Sequence, residues 1–209
     1  MNTALQHECQ PAGKVAPAWQ SRLSLVETWW TRVLIALLGC WLGSVNSAGA
    51  EASGLKEYQL KAAFLYNFTK FVEWPAACFE STDAPIILGV AGKGPCAAEL
   101  EQVVKDRAVN GRKLVVKTLA TPGDADGVHV LFVPASEDSR LPEWLEATRV
   151  AGVLTVGESE AFARADGIIR FVIEGDKVRF EINMSPAEQA GLKISAQLLK
   201  LARTVRRKS

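Results

Sequence analysis

Histidine is almost absent from this chain: of 209 residues only His7 and His129 are histidines. Metal sites and hydrolytic triads both lean on imidazole, so its scarcity argues against most of them together. Zinc is held by clustered Cys and His at ligand spacing, whereas the four cysteines, Cys9, Cys40, Cys78 and Cys96, are scattered. A serine hydrolase of the α/β type needs a Gly-x-Ser-x-Gly elbow, and the nearest approach, Gly157-Glu158-Ser159-Glu160-Ala161, lacks the second glycine. A long apolar run is missing too. The longest, Val33 to Gly43, falls short of the about 20 residues that a membrane-crossing helix requires. Nor does one sign of charge dominate: 24 Lys plus Arg stand against 23 Asp plus Glu, which leaves no electrostatic basis for nucleic-acid binding. No catalytic, metal-ligating or cofactor-binding residue is assigned, and no cofactor is called for.

What is present begins with that short run. Residues 33–50, VLIALLGCWLGSVNSAGA, follow Arg32 and end in the small triplet Ala48-Gly49-Ala50. An apolar stretch of this length with an Ala-x-Ala ending has the form of a secretory signal. Residues 1–50 therefore read as a leader cut after Ala50, and residues 51–209 as one exported domain. The stretch before Arg32 is long for a basic leader, which points to a later translation start near Leu25 or Val26. Leu37-Leu38-Gly39-Cys40 offers a second processing route, lipidation of Cys40. Removing the leader leaves Cys78 and Cys96 in an oxidising compartment, where they form a possible disulfide. The strand expected between them leaves that pairing open.

The exported part reads as alternating elements. From Leu55 to Trp74, apolar residues recur every three or four positions at Leu55, Tyr58, Ala62, Leu65, Phe68 and Val72, the mark of an amphipathic helix. Pro75 closes it. Its aromatic content exceeds what one stripe can bury, and a dimer mate would supply a second cover. Strands are expected at Ile86–Ala91, Lys113–Leu119, His129–Val133 and Val153–Val156, with helices after Gly94-Pro95, around Leu141–Arg149 and at Ser159–Ala165. Runs such as IILGVA and HVLFV lack polar alternation, as in a parallel sheet covered on both faces. Ile168–Glu174 and Lys177–Asn183 are joined only by Gly175-Asp176, which predicts an antiparallel hairpin at a sheet edge. Ser185-Pro186 with Glu188 has the form of a capping box, opening a long C-terminal helix from Pro186 to about Val205. The fold expected is thus α/β: a three-layer sandwich with a mostly parallel sheet, a C-terminal hairpin and a long C-terminal helix.

Two features carry weaker signals. The loop Gly92-Lys93-Gly94-Pro95 lies between a strand and a helix, a place where backbone N–H groups can cradle phosphate. It fits neither the Gly-x-Gly-x-x-Gly nor the Walker spacing, and Pro95 removes a donor. His129, at the mouth of a buried strand, reads as a hydrogen-bonded structural residue. Lys200, Arg203, Arg206, Arg207 and Lys208 gather near the end of the chain, where cations suit a helix C-terminus.

Three blocks, LKAAFLYNFTKFVEWP at 60–75, VLTVGESEAFARADGIIRFVIEGDKVRFEIN at 153–183 and AGLKISAQLLKLA at 190–202, with HVLFVPAS at 129–136 between them, resemble the YfiR-like family of small periplasmic proteins. The resemblance implies a non-enzymatic, dimerising α/β sandwich in the periplasm. It further implies a regulator that binds and represses the periplasmic part of an inner-membrane diguanylate cyclase, lowering cyclic-di-GMP and restraining biofilm. Family members often carry cysteines where this chain has Gly89 and Val128, so redox control through those positions is not carried over. Candidate partner contacts are Tyr66 and Phe71 on the first helix and Arg203 and Arg206 near the end. The contrasting reading is a small-ligand module whose pocket is lined by the Gly92–Pro95 loop and the Gly157–Ser159 turn.

Overall fold

The computed structural model describes residues 47–149 and 152–207. Of the expected leader features, Val33–Gly43 and Cys40 lie outside these residues, whereas the Ala48-Gly49-Ala50 triplet falls within the first helix. Contacts divide the chain after Ala50, and the fold is that of Glu51–Ser209 with the helix that leads into it. No helix among the described residues is long and apolar enough to cross a membrane.

The amphipathic pattern forms α1 (Ser47–Phe71). Ala62, Leu65 and Phe68 are buried as the spacing requires, whereas Leu55, in the N-terminal half, is 46% exposed. The helix stops before Trp74 because Val72 and Glu73 are drawn into a short strand, β1 (Val72–Glu73). The central sheet follows: β2 (Ile86–Ala91), β4 (Arg112–Leu119), β5 (Val130–Val133) and β6 (Leu154–Gly157) are parallel. Between β2 and β4 lie α2 (Pro95–Val104) and a two-residue strand, β3 (Ala108–Val109), that pairs antiparallel with the start of β4. The β3–β4 hairpin was not expected, although Asn110-Gly111 is the strongest short hairpin signal there is. Both residues have positive φ, 52° and 80°.

Helices α3 (Leu141–Ala147) and α4 (Glu160–Arg164) follow β5 and β6. Ser159 caps α4, its Oγ accepting the Phe162 N–H at 3.0 Å. The predicted hairpin is β7 (Ile169–Glu174) and β8 (Lys177–Asn183), turning at Gly175 with φ of 57°. Along the sheet, with a last strand β10 (Thr204–Arg206) at one edge, the order is β10-β8-β7-β6-β5-β2-β4-β3. The chain first steps from β2 to β4 and then returns to the other side of β2 for β5, so the switch point of this doubly wound sheet lies between β2 and β5.

The long C-terminal helix does not form. In its place come α5 (Met184–Gln189), β9 (Lys193–Ile194), α6 (Ala196–Leu201) and β10 (Thr204–Arg206). Gly191, with φ of 72°, ends the first piece in the left-handed conformation that glycine alone adopts freely. Ile194 then pairs with Val72 of β1, and Ser195 restarts the helix by accepting the Leu198 N–H. The helix also begins earlier than expected: α5 starts at Met184, with Asn183 at its N-cap, so Ser185 stands inside its first turn rather than before it. β10 pairs in parallel with β8, so the hairpin is one strand in from the edge.

Alternation along the strands splits the core in two. One face carries Leu88, Val90, Phe132, Val156, Phe171 and Phe180 against α1, α2, α5 and α6. The other carries Leu131 and Val133 against Trp144 of α3 and Phe162 of α4. The first face holds an aromatic cluster in which Phe68 stacks on Phe171 at 5.8 Å and meets Phe180 edge-on at 5.2 Å. On the second, Gly157 and Gly167 receive the Phe162 ring so closely that a Cβ on either would sit 2.3 Å or less from it.

Candidate functional site

Open α/β sheets bind ligands beyond the carboxyl ends of their strands at the switch point. In this chain that crest is occupied by its own side chains. Lys61, on the buried face of α1, ion-pairs with Glu57, one helical turn back, and with Glu158, just past the end of β6. The Lys61 side chain is 3% exposed and that of Glu158 11%. Glu158 uses its other oxygen to accept the Ala135 N–H after β5 at 2.8 Å. Burial pulls the Lys61 ammonium down, but the hydrogen bonds and charges of Glu158 and Glu57 more than offset it, so the group titrates above its ordinary value. Tyr58 lies 4.8 Å below the ammonium and is pushed up by burial and then by Glu158.

Cys96, at the start of α2, joins this cluster. Burial, reinforced by Glu158, pushes its thiol up to about 12, so at neutral pH it is a protonated and unreactive group. The structure does not bring Cys96 to Cys78. Cys96 follows the carboxyl end of β2, while Cys78 lies at the opposite end of the sheet, its carbonyl bonded to His129. The length of β2 separates them, as the intervening strand implies, and the possible Cys78–Cys96 disulfide is not formed.

The Gly92–Pro95 loop fares poorly as an anion cradle for an electrostatic reason. A methyl group on Gly92 would lie 2.2 Å from Oε1 of Glu137, so a carboxylate already abuts the loop. Glu137 is held there by the Trp144 indole N–H at 3.0 Å and by Arg140. Phosphate brought to this loop would meet like charge.

His129 is structural, as its position suggested. Its Nδ1 accepts the Ile87 N–H at 3.1 Å, which makes the neutral ring the Nε2–H tautomer, and Nε2–H donates to the Cys78 carbonyl at 3.1 Å. The ring stacks on Phe79 at 4.5 Å, Arg112 covers the far side of Phe79, and the Trp74 indole donates to the His129 carbonyl. Burial first, then the Arg112 charge, holds its pKa below the ordinary 6.5. The unfolded chain therefore takes up this proton more readily than the folded one. Its contribution to stability is complete above about pH 6.5 and shrinks as pH falls from there toward the folded value. Urea midpoints measured between about pH 7.5 and 5 are expected to fall less steeply in His129→Gln, whose amide can keep both hydrogen bonds. Equal slopes in the two proteins would rule this out.

The four candidate contact residues have separate fates. Tyr66 is buried, gripped by Lys70 at 4.2 Å and Arg107 at 4.7 Å from its ring. Burial raises its phenol, but the hydrogen bonds and charges of Arg107 and Lys70 outweigh this and leave it below its ordinary value. Phe71 is half-buried against the core, and its carbonyl accepts the Ser195 N–H. Arg203 is committed to Glu174 at 2.6 Å and Glu181 at 3.3 Å. Arg206 is exposed on β10. The Lys61–Glu57–Glu158 cluster was missed by sequence reasoning: Glu57 and Lys61 were legible as an i,i+4 pair, but Glu158, 97 residues away in sequence from Lys61, was not.

The sequence profile described as YfiR/HmsC-like matches residues 58–203. No curated protein matches the chain. Among solved structures, a conserved domain protein from Vibrio cholerae is similar at 16% identity and a TM-score of 0.42, over 57% of this chain and 54% of its own. The ABC domain in complex with L-Trp from Streptococcus pneumoniae is similar at 13% identity and a TM-score of 0.41, over 58% of this chain and 55% of its own. The chain spans about half the length of these solved proteins.

Proposed function

This chain belongs to the YfiR/HmsC-like family of periplasmic regulators, and on that premise we propose that it is exported, cut after Ala50, and binds and represses the periplasmic part of an inner-membrane diguanylate cyclase. The observation that carries the reading is the occupied crest. Where a doubly wound sheet would hold a substrate, Lys61 is already paired with Glu57 and Glu158, and Glu137 with Trp144 and Arg140, and the single histidine of the exported part is locked between two backbone groups. A fold that spends its ligand crevice on internal ion pairs is suited to presenting surfaces rather than to turning over a substrate. A homodimer belongs to the same reading.

The alternative, a small-ligand module at the strand ends, has less support. Of the two segments proposed to line its pocket, the Gly92 loop abuts Glu137 and Gly157 is covered by the Phe162 ring. Deleting the gene is expected to raise cellular cyclic-di-GMP several-fold, and the full chain with its leader is expected to restore it, whereas a version lacking residues 1–50 is not. Unchanged cyclic-di-GMP across several stresses would refute the reading. A thermal shift with a metabolite in place of any effect on the cyclase would favour the alternative.

A further inference from the structure

We propose that the outer edge of β4 is a docking edge for an extended, acidic segment of a partner protein. The inference rests on the reading of the chain as a partner-binding protein, but it is tested without the cyclase, so that either can fail alone.

β4 pairs with β2 along Leu114–Leu119, but on its other side β3 reaches only Arg112 and Lys113. Beyond Lys113 no strand among the described residues pairs with that side. The direction of the backbone groups is fixed by one hydrogen bond: the Leu119 carbonyl accepts the Gly92 N–H and so faces β2. Alternation then turns the N–H and C=O of Val116 and Thr118 outward, an unpaired strip of the kind that recruits an added strand.

The side chains say what kind of strand. On one face, Lys113, Val115 and Lys117 alternate outward, all exposed, with Val115 at 40%. On the other, Leu114 and Val116 line a groove of about 750 Å³ together with Val104, Lys105 and Arg107, the last also lying against the Tyr66 ring. Four cations thus flank the edge against Glu101 and Asp106. A matching strand presents acid, apolar, acid to the first face and apolar residues to the groove. A second copy of the chain is a poor fit, because β4 laid against β4 would put Lys113 and Lys117 of both copies on one face, and like charges across a ladder repel. The same lysines guard the edge against self-association.

The probe is the blocked heptapeptide Ser-Glu-Val-Val-Val-Glu-Ser, whose pattern is the same in either strand direction, and its counterpart with Lys for both Glu. The exported domain is expected to bind the Glu peptide and not the Lys peptide, with amide exchange slowed at Val116 and Thr118. Val116→Pro removes one outward donor without touching the bonds to β2 and is expected to weaken binding at least about tenfold, proline being tolerated on a strand edge. Lys113→Glu with Lys117→Glu is expected to reverse the preference of the two peptides, and it carries the test if the proline variant does not fold. Equal binding of both peptides, binding that leaves the Val116 and Thr118 amides unprotected, or no binding at about millimolar peptide would overturn the proposal. So would a stable dimer with these amides already protected, which would assign the edge to a second copy.

Discussion

Phe68→Ala is expected to lower the free energy of unfolding by about 3–5 kcal/mol, a large share of the about 5–15 kcal/mol that holds an ordinary domain together. Phe68 is fully buried at the centre of the aromatic cluster, touching Phe64, Phe171 and Phe180. Its ring links α1 to both strands of the β7–β8 hairpin, elements about one hundred residues apart in the chain. The site cannot collapse easily, because Phe171 and Phe180 are fixed by their strand register, Phe171 opposite Phe180. The lost transfer free energy is therefore joined by a cavity term. Leu60→Ala, on the same helix but 41% exposed, is expected to change stability by less than about 1 kcal/mol. Chemical denaturation of the two variants checks the contrast, and similar losses for both would mean that α1 does not dock as described.

Glu158→Gln is expected to destabilise the domain by about 3 kcal/mol, and Lys61→Met combined with Glu158→Gln by distinctly less than the sum of the single changes. The reason is that Lys61 is almost wholly enclosed. With Glu158 neutralised, Glu57 is the one anionic partner left to its ammonium among the described residues, and its side chain is 35% exposed, so solvent weakens the attraction. Removing both charges leaves no orphan, and methionine fills the space of the lysine stem. Strict additivity of the two changes would show that the pair does not act as one unit. A pH signature accompanies the stability change. Because the folded value of Lys61 is raised above 10.5, its contribution is fully present below the unfolded value and is lost as pH rises through the folded one. Alkaline destabilisation from this source is expected to shrink in Glu158→Gln, since the raised value depends first on that carboxylate among the partners.

Both predictions concern contacts that sequence could name only in part. The amphipathic period marked Phe68 as a core residue of α1, and the short turn at Gly175-Asp176 marked the hairpin, because these signals live within a few neighbouring residues. Nothing local said that the helix would lie on that hairpin, or that Glu158 would stand beneath Lys61. The end of the chain shows the same division. Residues 186–205 contain a run of good helix formers, and a helical pattern was the natural reading. The breaks, Gly191 and Ser195, were present as a stop and a start signal, yet each is tolerated inside a helix at modest cost. What decided between them was pairing: Ile194 with Val72 and Val205 with Ile182.

By itself the sequence determined the class of the fold, the parallel strands with their two covered faces, the hairpin, and the structural role of His129. Each of these follows from spacing or from chemistry held within one segment. Only the tertiary structure decided that the ligand crest is closed by Lys61, Glu57 and Glu158, that Cys78 and Cys96 lie at opposite ends of the sheet, and that β4 is left with an open, basic edge. Those outcomes depend on which distant segments become neighbours, and that is set by the packing of the whole domain rather than by any residue's own preference.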